Sequence, residues 1–145
     1  MSPLLALAAL AALVVLATAL GLLHRAGAGR LRTASGDRVT AADLGAEAPL
    51  GARATLVQFS TPTCAQCPGT ARLLRAVADG HEGVVHVEVD LTRRPDVADR
   101  FGVLQTPTTL LVDGGHRVRA RIGGAPRRDA LDRELTTVLG GDHVR

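Results

Sequence analysis

The chain has very few aromatic residues, which bears on the ligands it can bind. Tryptophan and tyrosine are absent, and the only two phenylalanines, Phe59 and Phe101, lie in apolar segments typical of a core. Proteins that hold single-stranded nucleic acids stack the bases on aromatic side chains. Lysine is absent too, and the 17 basic residues, all arginines, are dispersed along the chain. We therefore expect a solvated surface and no nucleic-acid partner.

Cysteine is also scarce, since Cys64 and Cys67 are the only two in the chain. Two cysteines exclude the class of small proteins that are held together by several disulfides. A zinc site would need two further ligands at suitable spacing, and the sequence has no second C-x-x-C and no H-x-x-x-H. We therefore expect no metal. Copper handling by the dithiol stays open as an alternative, although no extra ligand lies near the pair.

Charged side chains are missing from Pro3 to Leu23, a run of 21 residues rich in leucine, alanine and valine. A helix of that length is enough to cross the hydrocarbon core of a bilayer. A cleavable signal peptide would have a basic start and a shorter apolar core. The sequence therefore favours an uncleaved single-pass anchor over residues 1–25, which contacts the membrane through residues 3–23.

Four arginines follow the apolar run, and only the terminal amine precedes it. The positive-inside rule then favours a cytoplasmic domain, in a reducing compartment. An extracytoplasmic domain is the open alternative. The four residues are Arg25, Arg30, Arg32 and Arg38.

The rest of the chain is long enough for one compact domain, and its hydrophobic pattern predicts the elements in order. Residues 26–37 read as a juxtamembrane linker and residues 38–145 as the domain. A short edge strand, a helical turn and a loop come first, followed by β-α-β-α-β-β-α. The predicted ranges are 38–40, 41–44 and 45–53, then strand 54–59, a helix ending at 79, strand 85–89, helix 95–101, strand 108–112, strand 116–122 and helix 126–139. The fold class is α/β, a mixed central sheet with helices on both faces.

The two cysteines lie between the buried strand and the helix that follows it. The first turn of a helix has unpaired N–H groups and the positive end of the helix dipole. A thiolate at Cys64 would be stabilised there, and the thiolate is the form that attacks a disulfide. The spacing i, i+3 brings Cys67 close enough to displace a mixed disulfide. The pattern therefore indicates a redox dithiol.

From about Val39 to Leu139 the chain resembles the thioredoxin superfamily. The resemblance rests on the strand before the C-x-x-C motif, the strand ending Val89-Asp90, the Thr-Pro about forty residues after the cysteines, and Ile122-Gly123 before the last helix. Together with the apolar segment, the chain is most similar to membrane-anchored thioredoxin-like disulfide reductases.

The resemblance implies roles for particular residues. Cys64 would attack and Cys67 would resolve the mixed disulfide, with no cofactor beyond their own disulfide. Pro107 would be cis and lie against the dithiol, and the backbone of Thr106 would pair with an extended substrate. The partners would be client protein thiols or disulfides and an unidentified electron donor. Thr63 replaces the family's tryptophan and either contacts the substrate or, with Thr61, only caps the helix.

Two departures from the family pattern concern proton transfer. The buried acid that assists the second cysteine falls on Gln58, which cannot take a proton, and the lysine that pairs with that acid falls on His86. Imidazole titrates near neutral pH, so one hypothesis makes His86 a proton relay, and the alternative makes it a partly exposed strand residue. The sequence predicts a membrane-anchored thiol–disulfide oxidoreductase, and the alternative is a binding or maturation module that holds a client thiol without turnover.

Overall fold

The computed structural model describes residues 2–27, 31–33, 36–46 and 49–141. Five helices and five strands follow one another in this part of the chain. They are α1 (Pro3–Gly27), β1 (Leu31–Thr33), α2 (Ala41–Leu44), β2 (Ala54–Ser60), α3 (Cys67–Asp79), β3 (Val84–Asp90), α4 (Pro95–Arg100), β4 (Thr108–Asp113), β5 (Val118–Gly123) and α5 (Arg128–Gly141). The predicted succession from β2 to α5 is confirmed.

The five strands form one mixed sheet in the order β1-β5-β4-β2-β3. Strands β2 and β3 are parallel, and every other neighbouring pair is antiparallel. The register aligns Phe59 with Thr108 and Thr108 with Gly123, so these residues lie at the same end of their strands. We call it the cysteine edge, because the loop with the two cysteines follows β2 there. The opposite edge, where Ala54 faces Asp113 before the turn to β5, is the hairpin edge.

Strand β1 lies inside the predicted linker 26–37, so this boundary needs correction. Leu31 pairs with Ile122 on β5, and the sheet therefore begins before residue 38. A three-residue strand is too short to show alternation, and it forms because β5 offers a free edge for hydrogen bonding. The predicted edge strand at 38–40 is reduced to one bridge between Arg38 and Arg117.

The turn of the hairpin between β4 and β5 is longer than the sequence predicts. The sequence predicts that a turn at Asp113-Gly114 leads into a strand that starts at His116, but β5 starts at Val118. His116 stands in the turn with a φ of 62°, the left-handed region. The backbone N–H of Arg117 donates to the carboxylate of Asp113 at 2.9 Å. This side-chain bond closes a wider turn, a form of turn that aspartate favours.

Helices cover both faces of the sheet, as predicted. Helices α3 and α5 pack on one face and each buries an apolar stripe, while α2 and α4 pack on the other. Phe59 is fully buried, and its ring centroid lies 5.5 Å from that of the partly buried Phe101. The stripe of α5 consists of Leu131, Leu135, Val138 and Leu139, and that of α3 of Thr70, Ala71, Leu74, Val77 and Ala78.

Helix α1 differs from the other helices because its surface is apolar and exposed. Its apolar run, Pro3–Leu23, has a mean hydropathy of 2.6, and none of it is buried against the rest of the chain. Its length and composition suit a membrane span, and a signal sequence would fit the same description. Thr18 is one of its few polar residues, and its hydroxyl donates to the carbonyl of Val14 at 2.8 Å. That bond satisfies the hydroxyl within the helix.

Candidate active site

Cys64 and Cys67 form a disulfide, with their Cα atoms 5.4 Å apart. Strand β2 precedes the loop that contains Cys64. All seven of its residues are buried, and its end is therefore fixed at the cysteine edge. The two cysteines differ in exposure. Cys64 is partly exposed, whereas Cys67 retains only 3 % of its surface. Only Cys64 is therefore open to a reagent from outside.

Helix α3 begins at Cys67, later than the sequence suggests. The N–H of Cys64 donates to the carbonyl of Thr61 at 3.1 Å, and the N–H of Cys67 donates to the carbonyl of Cys64 at 3.2 Å. Pro68 fits the first helical turn, where a missing N–H breaks no bond. Cys64 thus lies before the helix rather than in its first turn, and the predicted dipole effect acts on it from outside the helix.

Neither threonine of the loop caps the helix. The N-cap residue is Gln66, and no side chain makes the capping hydrogen bond there. Thr63 is exposed next to Cys64, so its contact with a substrate stays a prediction. The hydroxyl of Thr61 instead lies 3.4 Å from the hydroxyl of Thr106, on the loop before β4. That contact ties the cysteine loop to a second loop, a link that the sequence did not reveal because 45 residues separate its members.

The second loop contains a cis peptide bond between Thr106 and Pro107, the geometry that the resemblance implied. Pro107 is buried, and its carbonyl accepts the backbone N–H of Gly124 at 2.8 Å. The hydroxyl of Thr108 donates to the carbonyl of Gln105 at 2.7 Å. These bonds fix the loop against the end of β5, so Thr106 stands at the cysteine edge. Its pairing with a substrate backbone stays a prediction.

A buried chain of hydrogen bonds runs from the second cysteine to His86. The side-chain N–H of the fully buried Gln58 donates to the carbonyl of Cys67 at 3.0 Å. The Nε2 atom of His86 lies 3.1 Å from Oε1 of Gln58. Because the amide nitrogen of Gln58 is already a donor, its oxygen accepts, and Nε2 of His86 carries the proton. The structure thus brings together the two residues predicted for proton relay.

The chain of bonds ends at a carbonyl oxygen and not at a sulfur atom. A carbonyl has no proton to pass on, so this geometry positions Cys67 rather than connecting its thiol to His86. Burial lowers the pKa of His86, and the nearby Arg75 lowers it further, while Glu88 opposes both effects. His86 is therefore neutral over more of the pH range than a free histidine. Its relay role stays a prediction.

A cleft of about 600 Å³ opens beside the disulfide, on the side of α3 and β3. Both signs of charge face it, because α3 contributes two arginines and β3 two carboxylates. Arg75 and Glu88 form an exposed ion pair at 3.3 Å. Glu88 was not among the predicted site residues. The alternation of apolar and polar residues along β3 places it on the same face as His86. The charged lining residues are Arg72, Arg75, Glu88 and Asp90.

A smaller cleft of about 310 Å³ lies on the other side of the Thr106–Pro107 loop, towards β5 and β1. Arg32 and Arg121 line it together with Leu104, which is 97 % exposed.

As for metals, the described residues contain no group of three or more histidine, cysteine, aspartate or glutamate side chains able to hold an ion. The partly exposed Cys64–Cys67 disulfide supports exchange with sulfur atoms that are brought to the cysteine edge.

Comparison with known proteins finds similarity to thioredoxins in sequence and in fold. The family model described as Thioredoxin matches residues 45–137. The thioredoxin of Alicyclobacillus acidocaldarius is 31 % identical over 90 residues, which are 61 % of this chain and 85 % of that protein. A thioredoxin-like protein from the SPbeta prophage of Bacillus subtilis is 34 % identical over 82 residues, covering 55 % of this chain and 96 % of that one. The crystal structure of a Nicotiana alata thioredoxin superposes with a TM-score of 0.51 at 29 % identity, covering 59 % of this chain and 73 % of that one.

Proposed function

This chain belongs to the thioredoxin family and is a thiol–disulfide oxidoreductase, and from that premise we propose that it is a membrane-anchored enzyme that acts on protein cysteines. In this proposal Cys64 attacks and Cys67 resolves. The observation that supports the assignment is the difference in exposure, since Cys64 is partly exposed and Cys67 is almost completely buried. An attacking thiolate has to meet a foreign sulfur, whereas a resolving thiol only has to meet its neighbour.

The steps of the reaction follow from this assignment. The thiolate of Cys64 attacks one sulfur of a client disulfide, a new S–S bond forms, and the other client sulfur leaves as a thiolate. The thiolate of Cys67 then attacks Cys64 within this mixed disulfide. The second client sulfur leaves, and the Cys64–Cys67 disulfide of this structure results. Two electrons pass to the client, and a dithiol donor returns the enzyme to its reduced form.

The loops around the disulfide support a role for the client backbone. Thr106 precedes the buried Pro107 on the loop at the cysteine edge, and its backbone would pair with an extended client segment as one strand pairs with another. Thr63, exposed next to Cys64, would contact the same segment. We assign Gln58 and His86 to the resolving step, where their hydrogen bonds hold the backbone of Cys67 in place.

The anchor is the apolar helix α1, which exposes its leucines over the length of a membrane span. An uncleaved span keeps the domain at the membrane, and the arginines after it favour the cytoplasmic side. A reporter fused after Arg145 tests that side. Cytoplasmic reporter activity is expected, and activity on the outer side would overturn the orientation while leaving the redox chemistry intact.

The roles of the cysteines are tested with the full chain in detergent micelles, an insulin turbidity assay and dithiothreitol as reductant. We expect turnover by the natural chain and none by Cys64→Ser or Cys67→Ser. With a disulfide-containing peptide, Cys67→Ser should accumulate a mixed disulfide at Cys64, and Cys64→Ser should form none. A stable adduct of the natural chain without turnover would instead favour the binding module. An adduct at Cys67 in Cys64→Ser would reverse the assignment.

A further inference from the structure

The strand β1 enters the sheet at the cysteine edge. Leu31, its first residue, pairs with Ile122, the residue before Gly123. Gly123 pairs with Thr108, which in turn pairs with Phe59 at the end of β2. The chain therefore arrives from α1 at the same edge of the sheet at which the Cys64–Cys67 disulfide lies.

The connection between α1 and this edge is short. Helix α1 ends at Gly27, so only residues 28–30 precede Leu31. Leu23 is the last residue of the apolar run. The four residues 24–27 are helical and rise by about 1.5 Å each. The four steps from Gly27 to Leu31 add at most about 3.6 Å each. The cysteine edge therefore starts within about 20 Å of the end of the apolar run.

The dimensions of the sheet give the distances from β1 to β2 and from the cysteine edge to the hairpin edge. Three strand spacings separate β1 from β2, a lateral distance of about 14 Å at about 4.8 Å each. The hairpin edge lies one strand length further from the entrance of the chain, about 20 Å for the seven residues of β2. The domain can rotate about the short connection between α1 and β1. Such a rotation leaves the cysteine edge close to the end of α1, whereas it can move the hairpin edge away from it.

We propose that the cysteine edge faces the membrane, and that the client is an integral membrane protein presenting its cysteines at the membrane surface. The inference rests on the anchor in the proposed function. It does not depend on which side of the membrane the domain occupies, because the path of the chain is the same on either side. A client sulfur close to the bilayer meets Cys64 directly, while one far from the bilayer has to reach back towards the anchor.

The surface around the entrance of the chain fits this placement. Arg32 and Arg121 lie directly opposite each other on β1 and β5, and like charges in that arrangement repel. Among the described residues neither forms an ion pair with a carboxylate. Anionic headgroups next to a membrane span would relieve the repulsion, as they attract juxtamembrane arginines. The exposed Leu104 lies in the same cleft.

Two matched alanines test the orientation. Ala125 follows Gly124 at the cysteine edge and Ala52 precedes β2 at the hairpin edge, and both are exposed loop residues. Ala125→Cys and Ala52→Cys are each made in the full chain with Cys64→Ser and Cys67→Ser, labelled with a fluorophore, and reconstituted in vesicles of phosphatidylcholine and phosphatidylglycerol. A quencher is attached to the lipid headgroups.

The strand length of about 20 Å between the two edges leads us to expect at least about twofold stronger quenching at position 125 than at position 52. Equal quenching, or stronger quenching at position 52, overturns the inference. Extraction with alkaline carbonate is run on the same vesicles. If the chain is extracted, the anchor of the proposed function fails and this inference fails with it. If the chain stays in the vesicles and position 52 is closer, only this inference fails.

A second measurement concerns the client. Single-span synthetic peptides carry one intramolecular disulfide, either directly after the span or after a long glycine–serine spacer, and they share vesicles with the reduced natural chain. We expect the first peptide to be reduced about tenfold faster, because the short connection raises the effective concentration of its disulfide at Cys64. Equal rates, or a faster reaction of the spaced peptide, contradict the inference, even if insulin turnover is normal.

Discussion

The two edges of the sheet are built differently, although the same strands form both. At the hairpin edge the backbone closes on itself: the N–H of Arg53 donates to the carbonyl of Gly83 at 2.8 Å, and Gly51 donates to the hydroxyl of Thr55 at 2.9 Å. At the cysteine edge two loops leave the sheet and meet through the hydroxyls of Thr61 and Thr106. Backbone N–H groups thus close one end, whereas two side-chain hydroxyls join the loops at the reactive end.

The core beneath the two edges differs in the same way. On the α3 and α5 face, the end towards the hairpin edge is formed by a cluster of buried apolar side chains, among them Ala54, Val77 and Leu139. Towards the cysteine edge the same face buries Gln58 and Thr109, which are cross-strand neighbours, and Thr70 of α3. A buried polar group costs stability unless it is paired. The comparison teaches that on this face the apolar core lies towards the hairpin edge, and the buried polar groups lie towards the disulfide.

The largest effect should come from filling space at the hairpin edge. In Gly51→Ala the new methyl group would meet the backbone carbonyl of Ala54 and lie 2.8 Å from that of Gly83, neither of which moves easily. We expect a loss of about 3 kcal/mol in the free energy of unfolding. Urea unfolding of the full chain in detergent measures it, and insulin turnover per folded molecule should be unchanged.

The matched control is Gly140→Ala, because no atom lies within 4 Å of a methyl group placed there. Since Gly140 lies in the last turn of α5, that substitution should change the free energy of unfolding by no more than about 0.5 kcal/mol. Equal changes in the free energy of unfolding for both substitutions would contradict the close packing of backbone atoms around Gly51.

A smaller loss is expected when the buried amide at the cysteine edge is removed. Gln58→Met keeps the approximate shape but leaves the carbonyl of Cys67 and the N–H of His86 without their partner. We expect a loss of about 2 kcal/mol in the free energy of unfolding, together with slower resolution of the mixed disulfide. Urea unfolding and single-turnover kinetics measure the two effects.

The control for this prediction is Thr109→Val, on the strand next to Gln58. The hydroxyl of Thr109 is buried without a hydrogen-bond partner among the described residues, so its removal should leave stability equal or raise it. If Thr109→Val cost as much as Gln58→Met, packing rather than hydrogen bonding would hold Cys67.

The contact between the two loops should contribute less again. Thr61→Val and Thr106→Val each remove one hydroxyl of a partly buried pair, and we expect a loss of about 0.5–1 kcal/mol for each. A double-mutant cycle measured by urea unfolding isolates the coupling between them. If the two losses simply add, the hydroxyls do not hold the loops together, and the cysteine edge is shaped by packing alone.

The smallest expected effect is on the pH dependence of stability. The pKa of His86 is lowered from its ordinary value of 6.5, chiefly by burial. As the pH falls below that value, the unfolded chain therefore takes up a proton that the folded chain does not. The contribution of His86 to the free energy of unfolding should decrease from about pH 6.5 down to the folded pKa and change no further below it.

His86→Asn should remove this decrease, and urea unfolding at a series of pH values measures it. His116→Asn is the control, because His116 is exposed in the hairpin turn and asparagine accepts its backbone conformation. If the decrease survives in His86→Asn, another group is responsible.

Two sets of features follow from the sequence by itself. The C-x-x-C pair after an apolar strand predicted a redox dithiol, and the periodic runs predicted the helices and strands from Ala54 to Leu139, because side-chain spacing along the chain reports which face is buried. The run of uncharged residues from Pro3 to Leu23 predicted a helix fit for a membrane in the same direct way. All these signals lie within a few neighbouring residues.

The tertiary structure decided what depends on residues far apart. It paired Leu31–Thr33 with β5 within the predicted linker, moved the start of α3 to Cys67, and joined Gln58 to His86 across two strands. It also made one cysteine accessible and buried the other. The physical reason is that hydrogen bonding and burial at these points are set by partners on other elements, whose positions no local pattern encodes.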